Sequence, residues 1–312
     1  MVDAYVSAKV RWLSFLAVIM VVVIHSPVHR GEWLTHVLTQ WAVPFLLVVS
    51  GAFFRLSMER DAVGGLVRKK IFSLLIPYVI WVSMGWMAFG GSDAFVVFGI
   101  TNAVPHGYGV FWFVRQLMVS MIVLGIAFKL LQRLKANDVL KVGAASLFYV
   151  IFFLLFIRCP WAVAMPASPF YFLSGFLLPS FGGRVNSIVL RDGKRMAIVI
   201  VCLVVACSVR VLAIGCAAWL QTFVRNMGNF LMMITLWEAY DLVAKNRVMD
   251  TPLFMRCAFG IYCVHIYMLS FAGRVLSDPW GICLLGIGLS IGCVYLMERF
   301  LPVVSRIVFG GR

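Results

Sequence analysis

The sequence predicts an all-α integral membrane protein with about ten transmembrane helices and both termini in the cytoplasm. Three observations carry the prediction. Of the 312 residues, 63% are hydrophobic and only 12% charged, against about 45–50% and about 25% in a soluble domain. Mean hydropathy is +0.99, so the solvent for most of this hydrocarbon must be lipid. Apolar stretches of about 20 residues, the length that spans a bilayer, recur at 10–29, 34–55, 71–90, 110–130, 140–158, 162–181, 196–214, 219–243, 254–273 and 279–300. Finally, lysine and arginine gather in short runs between these stretches.

Each stretch has its own justification. The first follows Lys9 and Arg11 and ends in HSPVHRG, with no A-x-A-like cleavage site, so a retained helix is expected rather than a signal peptide. The second, third, fourth and fifth are predominantly apolar, the fourth with Arg115 inside it. Pro166 and Pro169 break the sixth, and the eighth carries Arg225, Asn226, Asn229 and Glu238. The seventh, ninth and tenth are again predominantly apolar. No internal repeat, linker or soluble domain is visible, so residues 1–312 read as one transmembrane domain.

Orientation follows from the basic residues. Lys9 and Arg11, Arg55 to Lys70, Lys129 to Lys141, Arg184 to Arg195, Lys245 to Arg256, and Arg299 to Arg312 hold most of the 27 cations and fall on one side. By the positive-inside rule that side is cytoplasmic. An even number of spans also requires the termini to share a side. This distribution explains the net charge of +15 as loops facing anionic lipid, without nucleic acid. The eight cysteines lie mostly in apolar spans without CxxC spacing, as small hydrophobes do.

A charge at membrane depth costs about 2.5–3.5 kcal/mol, so residues that incur it need a reason. His25 lies about 22 Å along the first span at 1.5 Å per residue, in the outer half of the bilayer. Arg115, in GVFWFVRQLM, enters from outside to a similar depth, and His265, in FGIYCVHIYML, lies near mid-span. His25 reads either as an interfacial histidine or as a reactive one. Arg115 either snorkels to the headgroups or points inward. His265 is either a bonded core histidine or part of a site. His29, His36 and His106 read as surface residues beside outer loops, and five histidines without a carboxylate cluster argue against a metal site. Arg68, Lys69 and Lys70, in RKKIFSLLIPY, open the third span. Such a run is either a positive-inside anchor or a clamp for a phosphate-rich ligand.

In order along the chain, A-x-x-x-V-x-x-x-H at 17–25, VPFLLVVSGAFF at 43–54, RKKIFSLLIPYVIW at 68–81, FWFVRQLM at 111–118, YFLSGFLL at 171–178, FGIYCVHIYML at 259–269 and YLMERFLP at 295–302 resemble the membrane-bound acyltransferase family 3. Its members O-acylate surface carbohydrates. The resemblance implies that His25 is the general base and that Arg68, Lys69 and Lys70 hold the acyl donor, an acyl-CoA with acetyl-CoA foremost. It implies that Arg115 lies near the active centre and that Glu298 and Arg299 are the pair closing the last helix. His265 joins Ser14, Glu298 and Arg299 as possible site-lining residues. In the family an arginine precedes the histidine by eleven residues. Here that position is Ser14, and Arg11, one turn earlier, is the expected substitute at the donor site. No bound cofactor is implied. The partners it implies are acyl-CoA, a carbohydrate acceptor, free or lipid-linked, and the bilayer of a bacterial cytoplasmic (inner) membrane.

The chemistry fits an imidazole. A sugar hydroxyl is a poor nucleophile, and a base that takes its proton contributes about 10²–10⁴-fold. Arg115 would stabilise the oxyanion, and an acyl-histidine route stays open. The other readings are a transporter or flippase for a lipid-linked sugar, and an acyltransferase acting on an amine or a lipid headgroup.

Overall fold

A computed structural model describes residues 4–31, 33–61, 63–89, 111–132, 137–156, 167–185, 192–212, 217–245, 247–256 and 258–310. His106, Pro166, Cys159, Cys216 and Cys257, together with Arg133, Lys135, Arg158, Arg191 and Arg312, lie outside them. The regular elements among the described residues are helices: α1 Ala4–His25, α2 Val28–Gly31, α3 Trp33–Thr39, α4 Ala42–Arg60 and α5 Val63–Lys70. A π-helical segment, Ile71–Leu75, joins α5 to α6, Ile76–Phe89. There follow α7 Trp112–Gln132, α8 Asp138–Leu155, α9 Ser168–Val185, α10 Asp192–Leu212 and α11 Ala218–Ala244. The last four are α12 Leu253–Arg256, α13 Ala258–Val275, α14 Pro279–Phe300 and α15 Pro302–Val308.

Seven helical stretches among the described residues are long and apolar enough to cross a membrane: Ala4–His25, Val37–Arg60, Gly64–Ala88, Trp112–Gln132, Asp138–Leu155, Ala258–Val275 and Pro279–Phe300. The protein is a polytopic, all-helical membrane protein. The three remaining expected spans are helices too (α9, α10 and α11), though outside that set of seven.

Three expected boundaries move. Lys9 and Arg11 lie inside α1, not before it. Arg68, Lys69 and Lys70 form the last turn of α5 and lie near the start of the stretch Gly64–Ala88, which begins four residues before Arg68. Pro169 does not break its helix: α9 starts at Ser168, and a proline in a first turn loses no hydrogen bond.

The helices are apolar on both faces, as lipid-solvated helices must be. In α8, Val142, Ala145, Tyr149 and Phe153 are buried at helical spacing, while Leu147, Phe148, Ile151 and Leu154 face outward. Asn137 caps this helix, its side chain accepting the Leu140 amide hydrogen at 2.7 Å.

Contacts divide the chain into two compact units, Met1–Leu46 with Arg184–Leu296, and Leu47–Gly183 with Met297–Arg312. In the first, α1 packs along α13; Ala17, Val18, Val21 and Val22 are buried on α1, and Ile261, Val264, Leu269 and Ala272 on α13. The helices α10 and α11 pair extensively. In the second, α4 and α9 cross with almost no space between backbones. A Cβ at Gly51 would collide with the Phe172 carbonyl, and one at Gly175 with the Val48 carbonyl. Two of the quoted motifs, VVSGAFF and YFLSGFLL, thus meet through their glycines. The chain end folds back in the same unit. Trp81 stacks on Phe309 at 5.9 Å and donates to the Val308 carbonyl at 2.8 Å, and Gly310 turns against Ser73 with φ of 63°.

Candidate active site

The first unit positions two histidines. Helix α1 ends at His25 because Pro27 disfavours helical backbone at the residue before it. Ser26 closes the end, its hydroxyl donating to the Val23 carbonyl at 2.8 Å. The imidazole folds back along its own helix, with Nδ1 2.8 Å from the Val21 carbonyl. His265, in the middle of α13, does the same with the Tyr262 carbonyl at 2.5 Å. A carbonyl oxygen only accepts, so each Nδ1 carries the proton and each Nε2 of the neutral ring is left as a lone pair. The rings lie 5.1 Å apart between centroids. His25 is half-buried, whereas His265 is fully enclosed at 0% exposure. The structure therefore brings together the first and sixth of the quoted motifs.

The same helix α1 places Arg11 far from His25. Arg11 is exposed and donates to Thr251 Oγ1 at 3.4 Å, and its neighbour Trp12 donates to the Asp250 carbonyl at 3.2 Å. Fourteen residues of helix separate the arginine from His25, about 21 Å along the axis. Ser14 is half-buried on α1. His29 is half-buried, with Nδ1 3.3 Å from Thr35 Oγ1, so it does not read as a bare surface histidine.

A second polar centre in this unit was not read from the sequence as a site. Lys9 is 2% exposed, and its Nζ donates to Asp241 Oδ1 at 2.7 Å and lies 3.9 Å from the Trp237 ring centroid. Tyr5 donates to the same carboxylate oxygen at 2.6 Å. Arg195 pairs with Asp241 at 3.6 Å and with Glu238 at 3.7 Å. The one signal in the sequence is a pair of acids, Glu238 and Asp241, one turn apart in an apolar helix. Lys9 and Tyr5, more than two hundred residues away, leave no spacing to read.

The second unit holds the other expected residues. Arg115 is the fourth residue of α7, half-buried and in electrostatic contact with Tyr78 of the RKKIFSLLIPYVIW motif. Below it a buried polar chain links three helices. Gln116 donates to Ser120 at 3.4 Å, and Tyr149 donates to Ser120 at 2.8 Å and to the Pro169 carbonyl at 3.1 Å.

The basic run is not a uniform patch. Arg68 is exposed. Lys69 donates to Asp61 at 2.9 Å, and the Lys70 ammonium lies 5.9 Å from the Phe54 ring centroid. Asp61 also accepts from Arg60 at 3.2 Å, and these two cations hold its carboxyl down at about 2. Arg55 adds a buried guanidinium nearby, paired with Glu59 at 2.6 Å and 4.3 Å from the Phe128 ring centroid. Lys129 donates to the Met58 carbonyl at 2.9 Å. Glu298 accepts from Ser305 at 2.5 Å, tying α14 to α15, while Arg299 is exposed.

The family profile described as an acyltransferase domain, that of the acyltransferase 3 family, matches residues 8–299. No curated protein and no solved structure matches the chain. The profile takes in His25, the basic run, Arg115, His265, Glu298 and Arg299 in one continuous stretch. On that match the chain belongs to the acyltransferase 3 family and is a membrane acyltransferase.

Proposed function

We propose that the protein transfers an acyl group, acetyl foremost, from a cytosolic acyl-CoA to a hydroxyl of a cell-surface or lipid-linked carbohydrate. It would act in a bacterial cytoplasmic membrane with both termini inside, as the distribution of lysine and arginine suggests.

The observation that carries this reading is His25. Its Nδ1 is committed to the Val21 carbonyl, so its basic atom is Nε2, at the family's histidine position. A general base must present one lone pair in a fixed direction, and this hydrogen bond supplies that direction. His25 takes the acceptor proton, the alkoxide oxygen attacks the thioester carbonyl, and the C–S bond breaks to release the thiolate, which leaves with the proton. Arg115 is assigned to the oxyanion that forms on the carbonyl, a role that suits a guanidinium held at membrane depth.

Arg68, Lys69 and Lys70 are assigned to the phosphates of the donor. Their position at the end of α5, with Arg68 exposed, supports that reading. Arg11 would add to donor binding only from the exposed end of α1. Family membership favours the enzyme over a transporter, which would consume no thioester.

Mass spectrometry of surface glycans from cells with and without the gene tests the reading. An added acyl mass on a sugar hydroxyl in the gene-bearing cells is expected. An acyl mass found only on an amine or a lipid headgroup would overturn the acceptor assignment.

A further inference from the structure

One buried cation of the second unit has no role in the chemistry just described. Arg55 lies near the end of α4 and is 6% exposed. Its guanidinium is enclosed by rings, 4.3 Å from the Phe128 centroid and 5.2 Å from that of Phe176. Nε donates to Glu59 Oε1 at 2.6 Å, while Nη1 is buried with no hydrogen-bond partner among the described residues. Glu59 follows one turn later on the same helix, and its side chain is 46% exposed. Withdrawing a guanidinium from water costs more than a partner so exposed returns. Lys9 in the other unit differs, because it meets a carboxylate that is itself buried.

The surroundings of Arg55 suit an anion. Phe176 joins the cluster of rings, 5.7 Å from Phe128 and 6.4 Å from Phe54 between centroids. Two more cations border it. Lys70 lies 5.9 Å from the Phe54 centroid, and Lys129, next in sequence to Phe128, donates to the Met58 carbonyl. Lys70 is the last residue of the basic run assigned above to the donor. Asp61 is largely buried between Arg60 and Lys69. Glu59, half in solvent, is the acid placed to give way.

We propose that Arg55 binds a phosphate of the donor, and that Glu59 holds its place until the donor arrives. The proposal rests on the basic run serving an acyl-CoA and adds a buried contact to that site. A carboxylate oxygen on Nε satisfies one N–H of the fork, whereas a phosphate brings three acceptor oxygens in a geometry that a guanidinium matches. Little is lost in the exchange, since an i, i+4 pair with an exposed carboxylate contributes little and Glu59 regains its hydration on turning outward. The rings that surround Arg55 strengthen a charge-assisted bond there, whereas solvent and salt screen one at exposed Arg68. No covalent bond changes in this step.

A double-mutant cycle tests it, read as the Kd of acetyl-CoA for the full-length protein in phosphatidylcholine nanodiscs, where no anionic headgroup competes. Glu59→Gln should lower Kd by about twofold to fivefold, and Arg55→Gln should raise it by about tenfold. With both changes together the gain from Glu59→Gln should vanish, because the carboxylate then competes for nothing. The field of one negative charge would act equally with and without Arg55, and an undiminished gain in the double variant would overturn the exchange. Should Arg55→Gln fail to fold, Arg55→Lys keeps the charge without the fork and should raise Kd by about threefold or more. Wild-type affinity in Arg55→Lys would overturn the proposal and leave the guanidinium to a lipid headgroup. Replacing Arg68, Lys69 and Lys70 together by glutamine separates the two readings. If that variant binds weakly while the Arg55 and Glu59 variants bind as wild type, the donor site stands and Arg55 falls. If the wild type binds no acetyl-CoA, the donor assignment falls and Arg55 with it.

Discussion

Within one unit the protein buries polar side chains in two ways. The Lys9, Asp241, Arg195 and Glu238 centre is closed: two cations meet two carboxylates, and Tyr5 adds a hydrogen bond. The His25 and His265 pair is open. Each ring has one nitrogen fixed to its own helix, and His265 keeps a buried nitrogen without a bond. A network whose charges cancel holds helices together. A pair with spare lone pairs contributes little to stability and can accept a proton. Burial of a polar group is therefore a poor guide to function until its bonds are followed to the last atom.

The contrast breaks most sharply at Asp241. Asp241→Asn leaves Lys9 and Arg195 buried without their shared carboxylate and should destabilise the fold by about 3–5 kcal/mol. Thermal unfolding in detergent should report a large drop, while thiol release per folded molecule stays near wild type. A variant that keeps its melting temperature but loses turnover would move Asp241 into the catalytic group. Gly175→Leu comes next, because its side chain would enter the backbone of α4. A loss of about 1–3 kcal/mol or more is expected from overpacking, seen as lowered yield of folded protein.

The donor side gives smaller, kinetic effects. Replacing Arg68, Lys69 and Lys70 together by glutamine should raise the KM for acetyl-CoA by roughly tenfold, and the variant's KM should respond less to salt. Asp61→Asn should act in the opposite direction. It removes a negative charge from beside Lys69 and should lower that KM by about twofold to fivefold. The Asp61 contacts are present above the ordinary carboxylate range and are lost only as pH falls through about 2. Between pH 5 and 8, then, they contribute no pH dependence to donor binding. A KM that shifted with Asp61 titration in that range would contradict the assignment.

Much of the fold was legible because lipid leaves a plain record: long apolar runs with cations between them. Helix ends were less so. Composition alone could not tell that Lys9 folds into α1, because its charge is cancelled by a carboxylate 232 positions away. The motif order carried the family. What the order concealed was how the motifs meet: Gly51 and Gly175 lie at a helix crossing, and Glu298 accepts from Ser305. The pairing of His25 with His265 was equally out of reach, since it depends on how α1 packs on α13. The interruption of the basic run by Asp61 could have been read from the sequence, eight residues ahead of Lys69.

One assay bears on the whole account more directly than the rest. Purified wild-type protein and His25→Ala, with matched melting temperatures, are compared for thiol release from acetyl-CoA in the presence of unacylated surface glycan. Release by the wild type and a fall of at least about 10²-fold in the variant are expected if Nε2 of His25 removes the acceptor proton. Release by His25→Ala at the wild-type rate would contradict it.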